Sequence, residues 1–322
     1  MILPKKIYDR KTKLNFTNTL ICGPKGSGKT FLIFNFLKNF NGKYKYINFN
    51  DYREKDFNFD DVELVIFDNY DLSVPLPTNT TVFVTASKAI NLEGFEKIEL
   101  KPLDFEEFFS FENSLSITQN FDKFLKIGNF PRTLFLDDFH KEEYLKEVFE
   151  LLPYNKEILK FFFSHIGEKL TLYQIYQILK KENKIGKDTF YKTVYELLED
   201  KVIFEVEKYN SPKSPKKFYS YNFAFKNILT NKKNLLLTFE NIIFLELKGT
   251  VYYQNSLNFY LPQKNLGILV MPFANEEILK EKLKKVKNVN KVEVITISNE
   301  FEYNHKNFEV EVIPFWRWKF AE

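Results

Sequence analysis

The chain has a single cysteine, Cys22, so it cannot form an internal disulfide, and its three histidines, His140, His165 and His305, are too scattered for a His/Cys zinc pattern. Long apolar runs are missing as well. Nothing approaches the roughly eighteen residues that a membrane helix needs, and the opening MILPKKIYDRKTK lacks the apolar core of a secretion signal. These absences lead to the expectation of a soluble, cytoplasmic protein. Arginine is scarce beside lysine, so a lysine cluster says little by itself, and a net charge of +4 permits nucleic-acid contact without requiring it. What is plentiful is aromatic: 37 Phe and 18 Tyr contribute to a hydrophobic share of 44%, enough over 322 residues to build two or three domain cores.

Glycine is also rare, yet three of the ten glycines fall inside six residues. NTLICGPKGSGKTFLIFNFLKNF (18–40) reads as a short apolar strand, a glycine-rich turn, and a segment with Phe31, Phe34 and Leu37 at helical spacing. That is the setting of a P-loop. The backbone of Gly23, Pro24, Lys25, Gly26, Ser27 and Gly28 crowds around phosphates, the helix N-terminus adds its positive end, Lys29 reaches the terminal phosphates, and Thr30 offers a hydroxyl to Mg²⁺. The cofactors expected are therefore ATP and Mg²⁺.

LVIFD (64–68) ends about one βαβ unit later on Asp68, placed to hold the magnesium water shell opposite Thr30. YKYINF (44–49), TVFVTAS (81–87) and KIEL (97–100) read as further strands of a mostly parallel α/β sheet flanked by helices. Thr85 and Ser87 lie at the carboxyl end of their strand, where a hydroxyl senses the γ-phosphate, positions the attacking water, or caps a helix. The residue after Asp68 is Asn69. An amide cannot take a proton from water, and losing a general base commonly costs roughly 10²- to 10⁴-fold in rate. ATP binding with slow or conditional turnover is the expectation. Asp71 is the substitute base two residues on, and Arg132 is either a finger for transferring phosphoryl charge or a surface residue after a Pro turn.

The order GPKGSGKT, LVIFD, TVFVTAS, KPLDFEEFF (101–109) and KIGNFPR (126–132) resembles a large family of bacterial and archaeal AAA-type ATPases. The matching residues are Pro102, Leu103, Asp104, Phe105, Glu107 and Phe108, then Gly128, Asn129, Phe130 and Pro131. The resemblance runs nearly the whole chain and implies three parts: an ATPase domain (1–150), a winged helix (151–230), and a small α/β domain resembling the PD-(D/E)xK restriction-endonuclease fold (231–322). The family usually carries Asp-Glu where this chain has Asp68-Asn69.

The middle region itself has the periodicity of three short helices and a hairpin, which is winged-helix order. Asp188 is placed to cap the third helix. Thr189, Lys192 and Thr193 fall off its apolar face towards a DNA groove, while Lys213, Lys216 and Lys217 on the wing are placed to meet phosphates. The bland alternative is an interdomain lid that touches no DNA. In the last part, the strand that carries Asp in active nucleases has Asn258, and the Glu-x-Lys strand has Leu269 and Met271. Glu240 and Glu246 remain, two helix glutamates expected to cap or face solvent. The chemistry of cleavage is absent from this set, because carboxylates must hold the metal. A strand is expected at VYYQ, a solvated Lys-rich helix over Glu276 to Lys287, and a terminal strand with Trp316 and Trp318 on one side. A homo-oligomer and a protein partner stay open.

Overall fold

The computed structural model describes residues 8–51, 56–112, 115–230 and 234–321. The first unit contains β1 (Thr19–Cys22), α1 (Lys29–Leu37), β2 (Tyr44–Asn48), β3 (Leu64–Asp68), β4 (Thr81–Ala86) and β5 (Glu96–Glu99). Its strands run in the order β2-β3-β4-β1-β5 with every pairing parallel. The central strands read as unbroken apolar runs because both faces are covered: β3 is buried at all five positions. Leu32, Ile33 and Leu37 of α1 close one face over Ile21, Ile66 and Phe83. The other face departs from the expected flanking helices. Among the described residues, loop side chains such as Phe49, Phe59, Tyr70 and Leu92 cover it.

Three helices follow: α2 (Phe105–Phe111), α3 (Ile117–Ile127) and α4 (Asp138–Glu150). Asp104 caps α2 by accepting from Glu107 N, and Ser116 with Gln119 forms a capping box on α3. Next come α5 (Lys156–Ser164), β6 (Lys169–Leu170), α6 (Leu172–Asn183), α7 (Lys187–Glu199), β7 (Ile203–Val206) and β8 (Lys216–Ser220), whose strands pair antiparallel as β6-β8-β7. The expected cap of the third helix moves: Gly186 is the N-cap, and Asp188 sits in the first turn, where its charge suits the helix dipole.

The chain then forms α8 (Phe225–Leu229), α9 (Leu235–Glu246), β9 (Phe259–Leu261), β10 (Leu266–Val270), α10 (Glu276–Leu283), β11 (Lys291–Thr296), β12 (Phe301–Glu302), β13 (Glu309–Pro314) and α11 (Phe315–Ala321). The last sheet runs β12-β13-β11-β10-β9, with a parallel centre and antiparallel edges. Two expectations fail here. VYYQ contributes isolated bridges, Tyr252 to Tyr260 and Lys208 to Tyr253, and no strand. The terminal strand stops at Pro314, so Trp316 and Trp318 lie on a helix. Trp318 is buried and donates to Glu293 at 2.9 Å, and Phe315 packs on Phe105 and Phe121. In α10 only Leu279 and Leu283 are buried.

The apolar cores cut across a boundary at residue 150. Phe130, with Leu145 and Phe149 of α4, joins the core of α5 to α8. Leu103 and Phe105 to Ile127 of α2 and α3 join the core of α9, β9, β10 and α11. The segment 102–150 is thus packed into both later units, directly behind the glycine-rich turn.

Candidate phosphate and magnesium site

Residues 23–30 join the carboxyl end of β1 to α1, and glycine is required there for two reasons. Gly26 (φ 88°) and Gly28 (φ 95°) adopt left-handed backbone, and a Cβ at either would come within 2.9 Å of the Phe130 ring or the Pro131 ring. No side chain caps α1 at Gly28, so its first N–H groups face the turn.

Lys29 is 6% exposed and donates to Gly23 O at 2.7 Å, Pro24 O at 3.2 Å and Ser87 Oγ at 3.2 Å. Burial lowers its pKa from 10.5 to about 8, with the nearby Asp68 carboxylate working the other way. Thr30 Oγ1 donates to both oxygens of Asp68, at 3.1 and 2.9 Å, and Tyr46 OH donates to Asp68 Oδ2 at 2.6 Å. Thr85 Oγ1 donates to Asp68 Oδ1 at 2.5 Å and accepts from Asn69 N at 2.8 Å. The Thr85 hydroxyl is therefore turned to Asp68, whereas Ser87 is the hydroxyl that reaches Lys29. Asn69 adopts φ 56°, and its amide donates to Asn48 Oδ1 at 3.2 Å. Asp71 is exposed and accepts from Ser73 N at 3.0 Å. Arg132 is exposed, with its guanidinium 4.8 Å over the Tyr144 ring.

The sequence reading missed the supports of this loop. Arg10, 3% exposed, grips Glu107 with two bonds (Nε to Oε1 at 2.9 Å, Nη2 to Oε2 at 3.2 Å) and donates from Nη1 to Ser27 O at 3.0 Å. Tyr221 OH donates to Lys25 O at 3.0 Å. Asp200 accepts from Ala89 N at 2.5 Å, just past Ser87, and from Tyr154 OH at 2.6 Å. A cleft of about 730 Å³ opens behind the turn where the three units meet, lined in part by Arg10, Pro24, Asn129 and Tyr221.

Several residues assigned to a DNA surface lie elsewhere. Thr193 is buried, because it shares the stripe of Phe190, Val194 and Leu197. Lys217 is buried against Glu240 at 2.5 Å, and Lys216 pairs with Glu205 and Glu207 at 2.8 and 2.9 Å. Thr189, Lys192 and Lys213 are exposed, but Lys192 stands 4.0 Å from Glu196. The helix glutamates are likewise buried and not solvated, and Glu246 Oε1 accepts from Phe105 N at 2.9 Å at the start of α2. Glu240 accepts from Lys217, from Tyr219 OH at 2.6 Å and from Asn258 Nδ2 at 2.8 Å. Glu246, its pKa pushed up by burial, pairs with Lys319 at 2.8 Å. Leu269 and Met271 are core residues. Among the described residues no group of three or more His, Cys, Asp or Glu is placed to hold a metal, and no helix is long and apolar enough to cross a membrane.

No family model matches the chain. An uncharacterized protein of Methanocaldococcus jannaschii is 25% identical across 93% of this chain and 87% of its own length. The Walker-type ATPase of Pyrococcus abyssi overlays 66% of this chain and 90% of itself at 14% identity, with a TM-score of 0.39. The ORC1 protein of Aeropyrum pernix, solved in complex with DNA, overlays 67% of this chain and 87% of itself at 11% identity, with a TM-score of 0.29. Overlays this loose do not define a shared whole-chain fold, and the chemistry of the site rests on its own geometry.

Proposed function

We propose that this chain binds Mg-ATP at residues 23–30 and turns it over slowly. The observation that carries the reading is the Thr30 hydroxyl facing the Asp68 carboxylate at 2.9 Å, beside a buried Lys29 and a glycine cradle that a Cβ would fill. A hydroxyl and a carboxylate at this spacing suit a hard cation that takes oxygen ligands. Bound Mg²⁺ would neutralise phosphate charge. The chain's own part is to wrap backbone N–H groups around the phosphates, present the Lys29 ammonium to them, and hold Asp68 in place through Tyr46 and Thr85. Asn69 supplies no base, which supports a protein that holds ATP for long periods.

Calorimetric titration with Mg-ATP tests this. Wild-type protein is expected to bind, and Lys29→Ala to lose roughly 100-fold or more in affinity, because it removes a charged donor from the phosphates. Unchanged binding by Lys29→Ala overturns the reading. The same titration has a pH signature. Only the ammonium form of Lys29 serves phosphate, and with a free-site pKa of about 8, affinity at pH 9 should be about tenfold weaker than at pH 7. Stability moves the other way. A buried ammonium with a depressed pKa destabilises the empty protein below about pH 8, and that cost fades as pH rises towards 10.5.

The middle unit is read as a winged helix serving as an interdomain element. The outer face of α7 mixes Asp188 and Glu199 with Lys192, and the wing lysines Lys216 and Lys217 are held in ion pairs. The last unit is read as a nuclease-like fold that cleaves nothing, with the ammonium of Lys217 at Glu240. Duplex DNA should show no steeply salt-dependent binding in an anisotropy titration; a steep salt slope would restore the DNA reading.

A further inference from the structure

Two side chains outside the cradle hold its peptide planes. Every described peptide bond is trans, and in a planar trans peptide the C=O and N–H point in opposite directions. Tyr221 OH fixes the carbonyl of Lys25, which turns the N–H of Gly26 away from the middle unit. Arg10 fixes the carbonyl of Ser27, which turns the N–H of Gly28 away from the guanidinium. Both N–H groups belong to the turn that would surround phosphate. Arg10 is immobilised by Glu107 within the first part of the chain, but Tyr221 follows β8 and belongs to the middle unit.

Tyr221 is itself rigidly placed. It is 1% exposed, its ring lies 5.6 Å from those of Phe130 and Phe225, and Asn129 Nδ2 donates to its carbonyl at 3.1 Å. Phe130 in turn occupies the space next to Gly26. Burial pushes the Tyr221 phenol well above its ordinary pKa, so its hydroxyl remains a donor. The Lys25–Gly26 peptide thus lies between the Phe130 ring and the Tyr221 hydroxyl, the second of which comes from the middle unit.

We propose that Tyr221 is a positioning residue for the nucleotide phosphates, through which docking of the middle unit sets phosphate affinity. This rests on the reading of residues 23–30 as a nucleotide site. By linkage the coupling is reciprocal: bound nucleotide holds the middle unit against the turn.

The test is Tyr221→Phe, which removes one hydroxyl and keeps the ring, with the Kd for Mg-ATP and for inorganic tripolyphosphate measured well below the melting temperature. Tripolyphosphate probes the cradle without the nucleoside. Both Kd values are expected to rise about tenfold, the scale of one hydrogen bond to a partly buried carbonyl. Tyr260→Phe, which loses a comparable bond to Asn265 (2.9 Å) in the last unit, should leave both unchanged. Wild-type affinity in Tyr221→Phe, alongside lost binding in Lys29→Ala, overturns the inference and leaves the nucleotide site standing. No binding of either ligand by the wild type overturns both. If Tyr221→Phe does not fold, hydrogen exchange on wild-type protein decides. Saturating Mg-ATP should slow exchange across Tyr221 to Leu229 relative to β11, and equal rates with and without ATP overturn the coupling.

Discussion

Asn69→Glu should raise the steady-state rate of ATP hydrolysis by roughly 10²- to 10⁴-fold, the usual worth of a general base. Position 69 directly follows Asp68 at the carboxyl end of β3, and Asn48 lies opposite Asp68 in the register of β2. A carboxylate introduced there has no proton to give Asn48 Oδ1, to which the Asn69 amide now donates and which also accepts from Asn50 N at 3.0 Å, so it is not tied to that group. The backbone opposes the change. Asn69 has φ 56°, a left-handed conformation that Asn tolerates and Glu adopts only at a cost of about 1 kcal/mol. The variant should therefore melt slightly earlier while hydrolysing faster. Phosphate release at saturating Mg-ATP measures the gain, and Asp68→Asn in the same background should abolish it. A rate unchanged from wild type would mean that the amide at position 69 is not what limits turnover.

Glu107→Ala should destabilise the protein by about 3–5 kcal/mol, the scale for stripping one partner from a buried ion pair. Arg10 and Glu107 are 3% and 7% exposed at the side chain, and Glu107 also accepts from Lys11 N at 2.9 Å. Without the carboxylate, Arg10 keeps only the carbonyls of Ser27 and Lys101. Glu107→Gln should lose less, because the amide oxygen still accepts. Thermal unfolding followed by circular dichroism gives the order wild type, Gln, Ala. If Ala melts with wild type, Arg10 is not anchored by this pair. Because the same guanidinium orients the Ser27–Gly28 peptide, both variants should also bind Mg-ATP more weakly.

The parts legible in the sequence are those written locally. GPKGSGKT needs only its own eight residues and the strand and helix on either side, and each of the strands read around it appears within a residue or two. Asp68 is recognisable because a buried strand announces itself by four consecutive apolar or aromatic positions, Leu64 to Phe67. The supports of the loop are not local. Arg10 and Glu107 are separated by 97 positions and Tyr221 and Lys25 by 196, and no periodicity links such pairs. Glu107 lies inside the KPLDFEEFF motif, but its role depends on a buried arginine from the segment before β1.

Other differences have nearer causes. Thr193 falls three residues after Phe190 and four before Leu197, so the helical period already placed it on the buried stripe; its polarity alone argued for the surface. Lys217 and Tyr219 alternate onto the face of β8 that meets α9, where Glu240 waits for them, and nothing in the sequence of β8 names that partner. FEVEVIPFWRWKF alternates like a strand only as far as Pro314. Beyond it the aromatic residues turn into a helix because Phe105 and Phe121 of α2 and α3 receive Phe315.

A site with Lys29 in the cradle and an amide at position 69 should hold ATP and scarcely hydrolyse it. The direct measurement is to incubate purified protein with excess Mg-ATP for hours, remove free nucleotide on a desalting column, denature the protein and identify the retained nucleotide by chromatography, with Lys29→Ala as the blank. Retained ATP, absent from the blank, is the result predicted. Retained ADP, or no nucleotide above the blank, would contradict it.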